Sequence, residues 1–267
     1  MISARGFRKN RNNLNVLRAL RNVRLIPLFF LTSFAFRKSE TVPSLILHFR
    51  VYVHGEPMQL NKKYRNPFGE IYEISRFRLY IGNIRPAYTD KETKLKKSSS
   101  YQLVDFSDST TTYMELPATT GTCNGVEFEL GVDSADQNHG AQSGQLDPSK
   151  GMFWTWNSGY QSFRIEGYSP FSNQPAHIIA YHIGGYRYPF STVWKIKMNT
   201  TNDEVFKITN DYKIIVEVPV ELDYFFDGPT PLHIKDISSC TTPGEMSRKI
   251  SENFIGSFTG LVLTSAP

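Results

Sequence analysis

The run 45–53, LILHFRVYV, constrains the fold more than any other stretch of the chain. Leu45, Leu47, Phe49, Val51 and Val53 alternate with Ile46, His48, Arg50 and Tyr52. A period of two, carried by β-branched and aromatic residues, fits a strand with one face in an apolar core and the other toward water. His48 and Tyr52 fall on the more polar face, His54 continues it, and Gly55-Glu56-Pro57 turns the chain. The stretch 71–84 contains a second such alternation, with Phe77, Leu79 and Ile81 opposing Arg78, Tyr80 and Gly82. Shorter strands are predicted at 101–106, 111–116, 126–132, 161–166, 177–183, 192–198, 205–208 and 213–222. Strands about ten residues apart, with turn signals between them, predict an all-β chain: an antiparallel β-sandwich with long loops. One helical turn is expected at 223–226. A short C-terminal helix is expected at 245–254, behind Pro243-Gly244, with Met246, Ile250 and Phe254 on its apolar stripe. No internal repeat or second domain is evident, so residues 41–267 read as one domain.

Charge is segregated. The first 24 residues hold seven basic and no acidic side chains, so the rest of a chain of net charge +5 carries −2. The basic character therefore belongs to the leader, and a nucleic-acid-binding reading loses its support. Twelve uncharged residues follow at 25–36, LIPLFFLTSFAF. That is short of the ~20 residues of a membrane span and matches the apolar core of a secretory signal peptide. Residues 1–40 are accordingly read as a signal peptide with a long basic n-region, with an uncleaved signal anchor as the other reading. Either places the remainder outside the cytoplasm, in the periplasm or beyond the cell. Only two cysteines are present, Cys123 and Cys240. An oxidising compartment permits a disulfide between them, and two separately buried free thiols are the other reading.

The chain holds no G-x-S-x-G, H-E-x-x-H, P-loop or G-x-G-x-x-G, so no catalytic residues are assigned and a non-enzymatic protein is expected. Two features remain. The segment 151–159, GMFWTWNSG, holds two of the three tryptophans, and follows a long, polar, Gly-containing connection at 133–150. Composition alone reads it as an aromatic plug on a sandwich; a loop of that length inside a domain is more often functional or disordered. Six histidines occur, at 48, 54, 139, 177, 182 and 233. With no C-x-x-C and no dense acidic cluster, a metal site would be imidazole-based, which suits copper, zinc or nickel. His48 and His182 lie in predicted strands and would be held rigidly, whereas His139 lies in the long loop. A competing reading is a periplasmic or surface binding module that uses the aromatic loop for glycan or peptide recognition.

The order of segments resembles the MbnP-like family of exported copper-binding proteins, related to a methanobactin-associated periplasmic protein. The resemblance rests on LHFRVYVHGEP (47–57), RFRLYIGNI (76–84), LVDF (103–106), YHIGG (181–185), ELDYFFDG (221–228) and TPGEMSRKISENF (242–254). Its most specific block is LGVDSADQNHGAQSGQLDPSKGMFWTWNSGY (130–160). The resemblance implies a copper ion as cargo, in uptake, storage or delivery. It also implies a partner di-haem, peroxidase-like enzyme that oxidises one tryptophan to kynurenine beside the metal. Carried onto this chain, it makes Trp154 and Trp156 the candidates for modification and His182 the first ligand. His48 and His139 follow as second and third. The two cysteines do not reproduce a multi-cysteine pattern found in some members.

Overall fold

A computed structural model describes residues 42–91, 100–154 and 158–264. The leader, the polar stretch 92–99 and Trp156 lie outside the described residues. In chain order the first strands are β1 (Ser44–Val53), β2 (Glu56–Pro57), β3 (Lys63–Arg65), β4 (Ile71–Tyr88), β5 (Tyr101–Asp105), β6 (Tyr113–Pro117) and β7 (Gly121–Leu130). They continue as β8 (Gln161–Tyr168), β9 (Ile178–Gly184), β10 (Trp194–Asn199), β11 (Phe206–Ile208), β12 (Ile214–Glu221), β13 (Ser239–Cys240) and β14 (Val262–Thr264). Three short helices intervene: α1 (Ser134–Gln137), α2 (Asp223–Phe226) and α3 (Glu245–Ile255).

The strands form two sheets. The smaller runs β14-β12-β1-β2, with β6 also on β1; the larger runs β10-β7-β4-β8-β9-β13, with β3 and β5 on β4 and β11 on β7. The alternation in β1 settles its orientation. Leu45, Leu47, Phe49, Val51 and Val53 are all buried in the core between the sheets, each contributing roughly 1.5–3 kcal/mol by leaving water. Phe49 meets Phe128 of the larger sheet edge-on at 5.9 Å, and Phe77, Phe163, Phe225 and Phe254 continue the aromatic core. Pairing is antiparallel throughout except for two parallel ladders, β1 on β12 and β13 on β9. The β1–β12 ladder runs from Leu45–Ile214 to Tyr52–Glu221 and joins the first strand to one of the last.

One expectation needs correction, and one choice between two readings is made. Met246 is 37% exposed; the buried face of α3 is Ser247, Ile250, Ser251, Asn253 and Phe254. The helix sits half over polar contacts, where Ser251 accepts a hydrogen bond from Trp194 Nε1 and Arg248 stacks 3.7 Å over that indole. The small serines permit this close approach, and Met246 would not fit there. Cys123 and Cys240, for their part, are both buried free thiols and do not form the disulfide that export permits. Cys123 is paired with Tyr88 at the far end of β4, whereas Cys240 leads through Tyr181 and Ile165 to Phe77. Eleven residues of strand separate those two points of β4, about 30 Å or more at ~3.3 Å per residue, against a Cα–Cα limit near 7 Å for a disulfide. Burial pushes the Cys123 thiol up to about 12, which leaves it unreactive.

Candidate metal centre

The outer face of the larger sheet carries a second apolar core. Tyr80, Tyr101, Leu103, Val132, Leu146, Met152 and Tyr160 are buried together there, with Phe153 packed against them. The connection 133–150 and the aromatic segment fold back over the sheet to build it. Asp133 caps α1 by accepting from the amides of Ala135 and Asp136, which satisfies orphan donors at the start of the loop. Buried hydroxyls then pin the rest: Tyr80 donates to Gln145 O (2.9 Å), Tyr101 to Asp136 Oδ2 (2.8 Å) and Tyr160 to Leu146 O (2.8 Å). The Gln137 side chain accepts from Tyr160 N at 2.6 Å and donates to Val132 O at 3.0 Å. The plug reading of the segment therefore holds for Met152 and Phe153.

Beyond this core the aromatic segment becomes a short antiparallel arm. Gln161 N donates to Met152 O, Phe153 bridges to Tyr160, and Trp154 N donates to Gly159 O. Met152 and Trp154 share one face of the arm, Met152 buried at its base and Trp154 half-buried at its outer end. The indole lies on β9: a Cβ placed on Gly184 would come within 2.7 Å of Trp154 Cζ3. Only glycine allows that contact. Ile179, Tyr181 and Ile183 of β9 point into the main core, so Ala180, His182 and Gly184 share the outer face. Trp154 thus rests two residues along the strand from His182, on the same side of the sheet.

A charged row crosses the same face. Arg78, Arg164 and His182 occupy paired positions on β4, β8 and β9, and Asp105 faces Arg78 from β5. Two of these cations hold the loop as well as the row: Arg78 Nη1 donates to Lys150 O (2.9 Å) and Arg164 Nη1 to Gly151 O (2.7 Å). Glu166 sits among Arg76, Arg164 and His182, with His182 Nε2 2.8 Å from its Oε1. The hydrogen bond from His182, opposed by partial burial and aided by Arg164, holds the Glu166 carboxyl down at about 2. An ionised carboxylate can only accept, so Nε2 donates in this bond, which leaves Nδ1 as the ring nitrogen a metal would use. A carboxylate on one ring nitrogen that leaves the other for a metal is a common arrangement behind metal-bound histidines.

The other candidates are placed elsewhere. His48 projects from the outer face of the smaller sheet, stacked on Tyr113 with ring centroids 4.0 Å apart. It and His182 point away from each other across a core ~10 Å thick, so one ion bound at ~2 Å cannot reach both. Burial lowers the His48 pKa, opposed by the nearby Glu217. His139 is exposed on the loop beyond α1, its Nδ1 3.8 Å from Asp136 Oδ1. Among the described residues no group of three or more His, Cys, Asp or Glu is arranged to hold a metal. The structure therefore places Trp154 and His182 on one face of β9 and His48 on the opposite surface, while His139 is exposed on the loop with Asp136 as its neighbour. Glu166, Arg164 and Gly184 complete the neighbourhood. The first two were legible as same-face residues of a predicted strand, and the third as half of a Gly-Gly pair.

The sequence model of the MbnP family matches residues 42–242. This chain belongs to the MbnP family. The match spans β1 through β13 and so includes Trp154 and His182. Among solved structures the chain is similar to MbnP from Methylosinus trichosporium, at 13% identity and a TM-score of 0.52, over 74% of this chain and 82% of that one. At that identity the likeness speaks for the fold. No curated protein matches the chain. No helix among the described residues is long and apolar enough to cross a membrane.

Proposed function

We propose that this MbnP-family chain is an exported copper-binding protein, acting in uptake, storage or delivery, with its site at Trp154 and His182. The observation that carries the reading is the contact of the Trp154 indole with Gly184, beside an imidazole whose Nε2 is held by Glu166. His182 and its carboxylate fit a copper ligand; His48 does not join them, and one imidazole is too few donors for a closed site. Conversion of Trp154 to kynurenine supplies what is lacking. Cleavage of the indole C2–C3 bond adds two oxygen atoms, and hydrolysis then releases the formyl carbon as formate. The product is an aryl amine and a ketone. Two equivalents of hydrogen peroxide, used by the di-haem partner, supply the two oxygen atoms and take up the four electrons, leaving two waters. Arg78 and Arg164, by gripping residues 150 and 151, hold the arm so that this ring stays on β9.

Metal analysis and peptide mass spectrometry of protein made with its native neighbours test this. Copper near one equivalent, lost in His182→Ala but kept in His48→Ala, is expected. An added mass on the peptide that contains Trp154, removed by Trp154→Phe, is expected as well. Intact tryptophans, or copper indifferent to His182, overturn the assignment.

A second reading has its own observation. Tyr188 is 96% and Phe190 40% exposed, and with Tyr186, Ser158 and Pro243 they border a hollow of about 170 Å³ beside the arm. That is smaller than the ~300 Å³ or more of ordinary ligand pockets, so the surface suits a shallow peptide or glycan contact. Metal-independent binding abolished by Tyr188→Ala would favour it.

A further inference from the structure

Two glutamines lie buried against the aromatic arm, and their amides are used differently. Gln137, 1% exposed, spends both ends: Oε1 accepts from Tyr160 N at 2.6 Å and Nε2 donates to Val132 O at 3.0 Å. Gln161, 2% exposed, leaves its Oε1 buried with no hydrogen-bond partner among the described residues. Such an atom has given up water and received nothing in return, which native folds rarely tolerate without a reason. The neighbouring cation on β8 does not answer it. Arg164 gives Nη1 to Gly151 O and Nη2 to Glu166 Oε1, and its own Nε is buried and unpartnered.

Two registers place the Gln161 side chain. In the arm, Gln161 N donates to Met152 O at 2.8 Å and Phe153 bridges to Tyr160, so Gln161 lies opposite Met152, on the face that carries Trp154. In the sheet, Gln161 is paired with Gly184, the glycine on which the indole rests. Paired residues of antiparallel strands share a face, so Gln161 and the Trp154 ring stand on the same side of β9. The approach is close. A Cβ on Gly184 would meet Trp154 Cζ3 at 2.7 Å and Gln161 Cα at 2.9 Å, so both lie against the same missing side chain.

The chemistry of conversion supplies the partner that Gln161 lacks. An indole has one N–H donor and no acceptor. Opened to kynurenine, the side chain has an amine with two N–H groups and a ketone oxygen ortho to it. One N–H closes on that ketone, and the other turns outward. We propose that Gln161 is a positioning residue for the converted Trp154: its Oε1 accepts the outward N–H of the aryl amine and fixes how the opened ring sits on β9. The proposal rests on the conversion of Trp154 and adds to it the residue that receives the product. A hydrogen bond behind a donor atom sets its direction toward a metal, and Glu166 stands in that relation to His182.

The test compares the full chain made without the di-haem partner and made with its native neighbours. Without the partner Trp154 stays intact, and Gln161→Met, which removes the orphan acceptor at nearly equal length, should leave Tm unchanged or raise it by about 2–6 °C. Gln137→Met, which removes an amide with both ends engaged, should lower it. With the native neighbours, wild type and Gln161→Met should both gain the kynurenine mass. The near-ultraviolet kynurenine band should shift in Gln161→Met, and its copper affinity should fall about 10–100-fold. Gln161→Glu, which keeps an oxygen at the same reach, should keep the wild-type band. If a variant does not fold, a crystal structure of the converted wild-type protein decides, by whether Gln161 Oε1 is within hydrogen-bond distance of the amine. A lowered Tm in unconverted Gln161→Met, a band and an affinity that this change does not move, or an amine turned away from Gln161 overturns the proposal and leaves the copper reading of the site in place. Intact Trp154 in wild type made with its native neighbours overturns both.

Discussion

The two outer faces of the sandwich begin from the same sequence pattern and end differently. On the smaller sheet, the outward residues of β1 stay in contact with solvent and with one another: His48 lies on Tyr113, and Tyr52 donates to Glu217, which Arg50 also approaches at 3.6 Å. Burial, together with the bond to Glu217, pushes the Tyr52 pKa up to about 12. On the larger sheet, the outward residues of β4, β5 and β8 are roofed by residues 133–154 and 158–161, and the face divides into an apolar core and a charged row. A histidine on the first face has stacking partners. A histidine on the second has a carboxylate behind it and an indole beside it. The roof, more than the strand, makes the difference.

Five substitutions would break or sharpen that contrast. Removing the roof's anchor should cost most: Tyr160→Ala empties a fully buried aromatic position and frees the 142–146 loop, for about 3–5 kcal/mol by chemical denaturation. Tyr113→Ala on the other face, 47% exposed, should cost about 1 kcal/mol or less. Next comes Gly184→Ala, whose added methyl meets the Trp154 ring at 2.7 Å and Tyr160 O at 2.9 Å; a loss of about 1–3 kcal/mol, with changed indole fluorescence, is expected.

Acid titration separates the faces more finely. Glu166 has a folded pKa of about 2 against an ordinary 4.5, so its contribution is complete above 4.5 and is lost as pH falls toward 2. Glu166→Gln should flatten the stability curve in that window, by about 1–2 kcal/mol after discounting for solvent access. The smallest effect belongs to His48. Its folded pKa is lowered below 6.5, so the stability tied to its neutral form is complete above 6.5 and falls as pH drops toward the lowered value. His48→Gln should remove that slope, an effect of about 1 kcal/mol or less.

Alternation made much of this legible. It oriented β1 and β4, placed Arg164 and Glu166 on one side of β8, and gave His182 a strand to stand on. It could not say which sheet a strand joins, and that decides a shared metal site. His48 and His182 each satisfy the requirement of a rigid strand, yet the parallel pairing of β1 with β12 puts them on opposite surfaces. Periodicity was equally silent about the second core, because Tyr80 reads as the solvent side of its strand until the loop after β7 and the aromatic arm cover it.

The parallel ladder also bears on how the chain is made. The Leu45–Ile214 pair lies 169 residues apart in sequence, so β1 can meet β2 and β6 early but waits for most of the polypeptide before its parallel neighbour exists. Until then the β12 side of β1 is unpaired and its apolar face, Leu45, Leu47, Phe49, Val51 and Val53, is incompletely covered. Folding rate falls as such distant contacts come to dominate, and intermediates with an open apolar strand are prone to self-association. That edge of β1 is covered only when the chain has been made as far as residue 221.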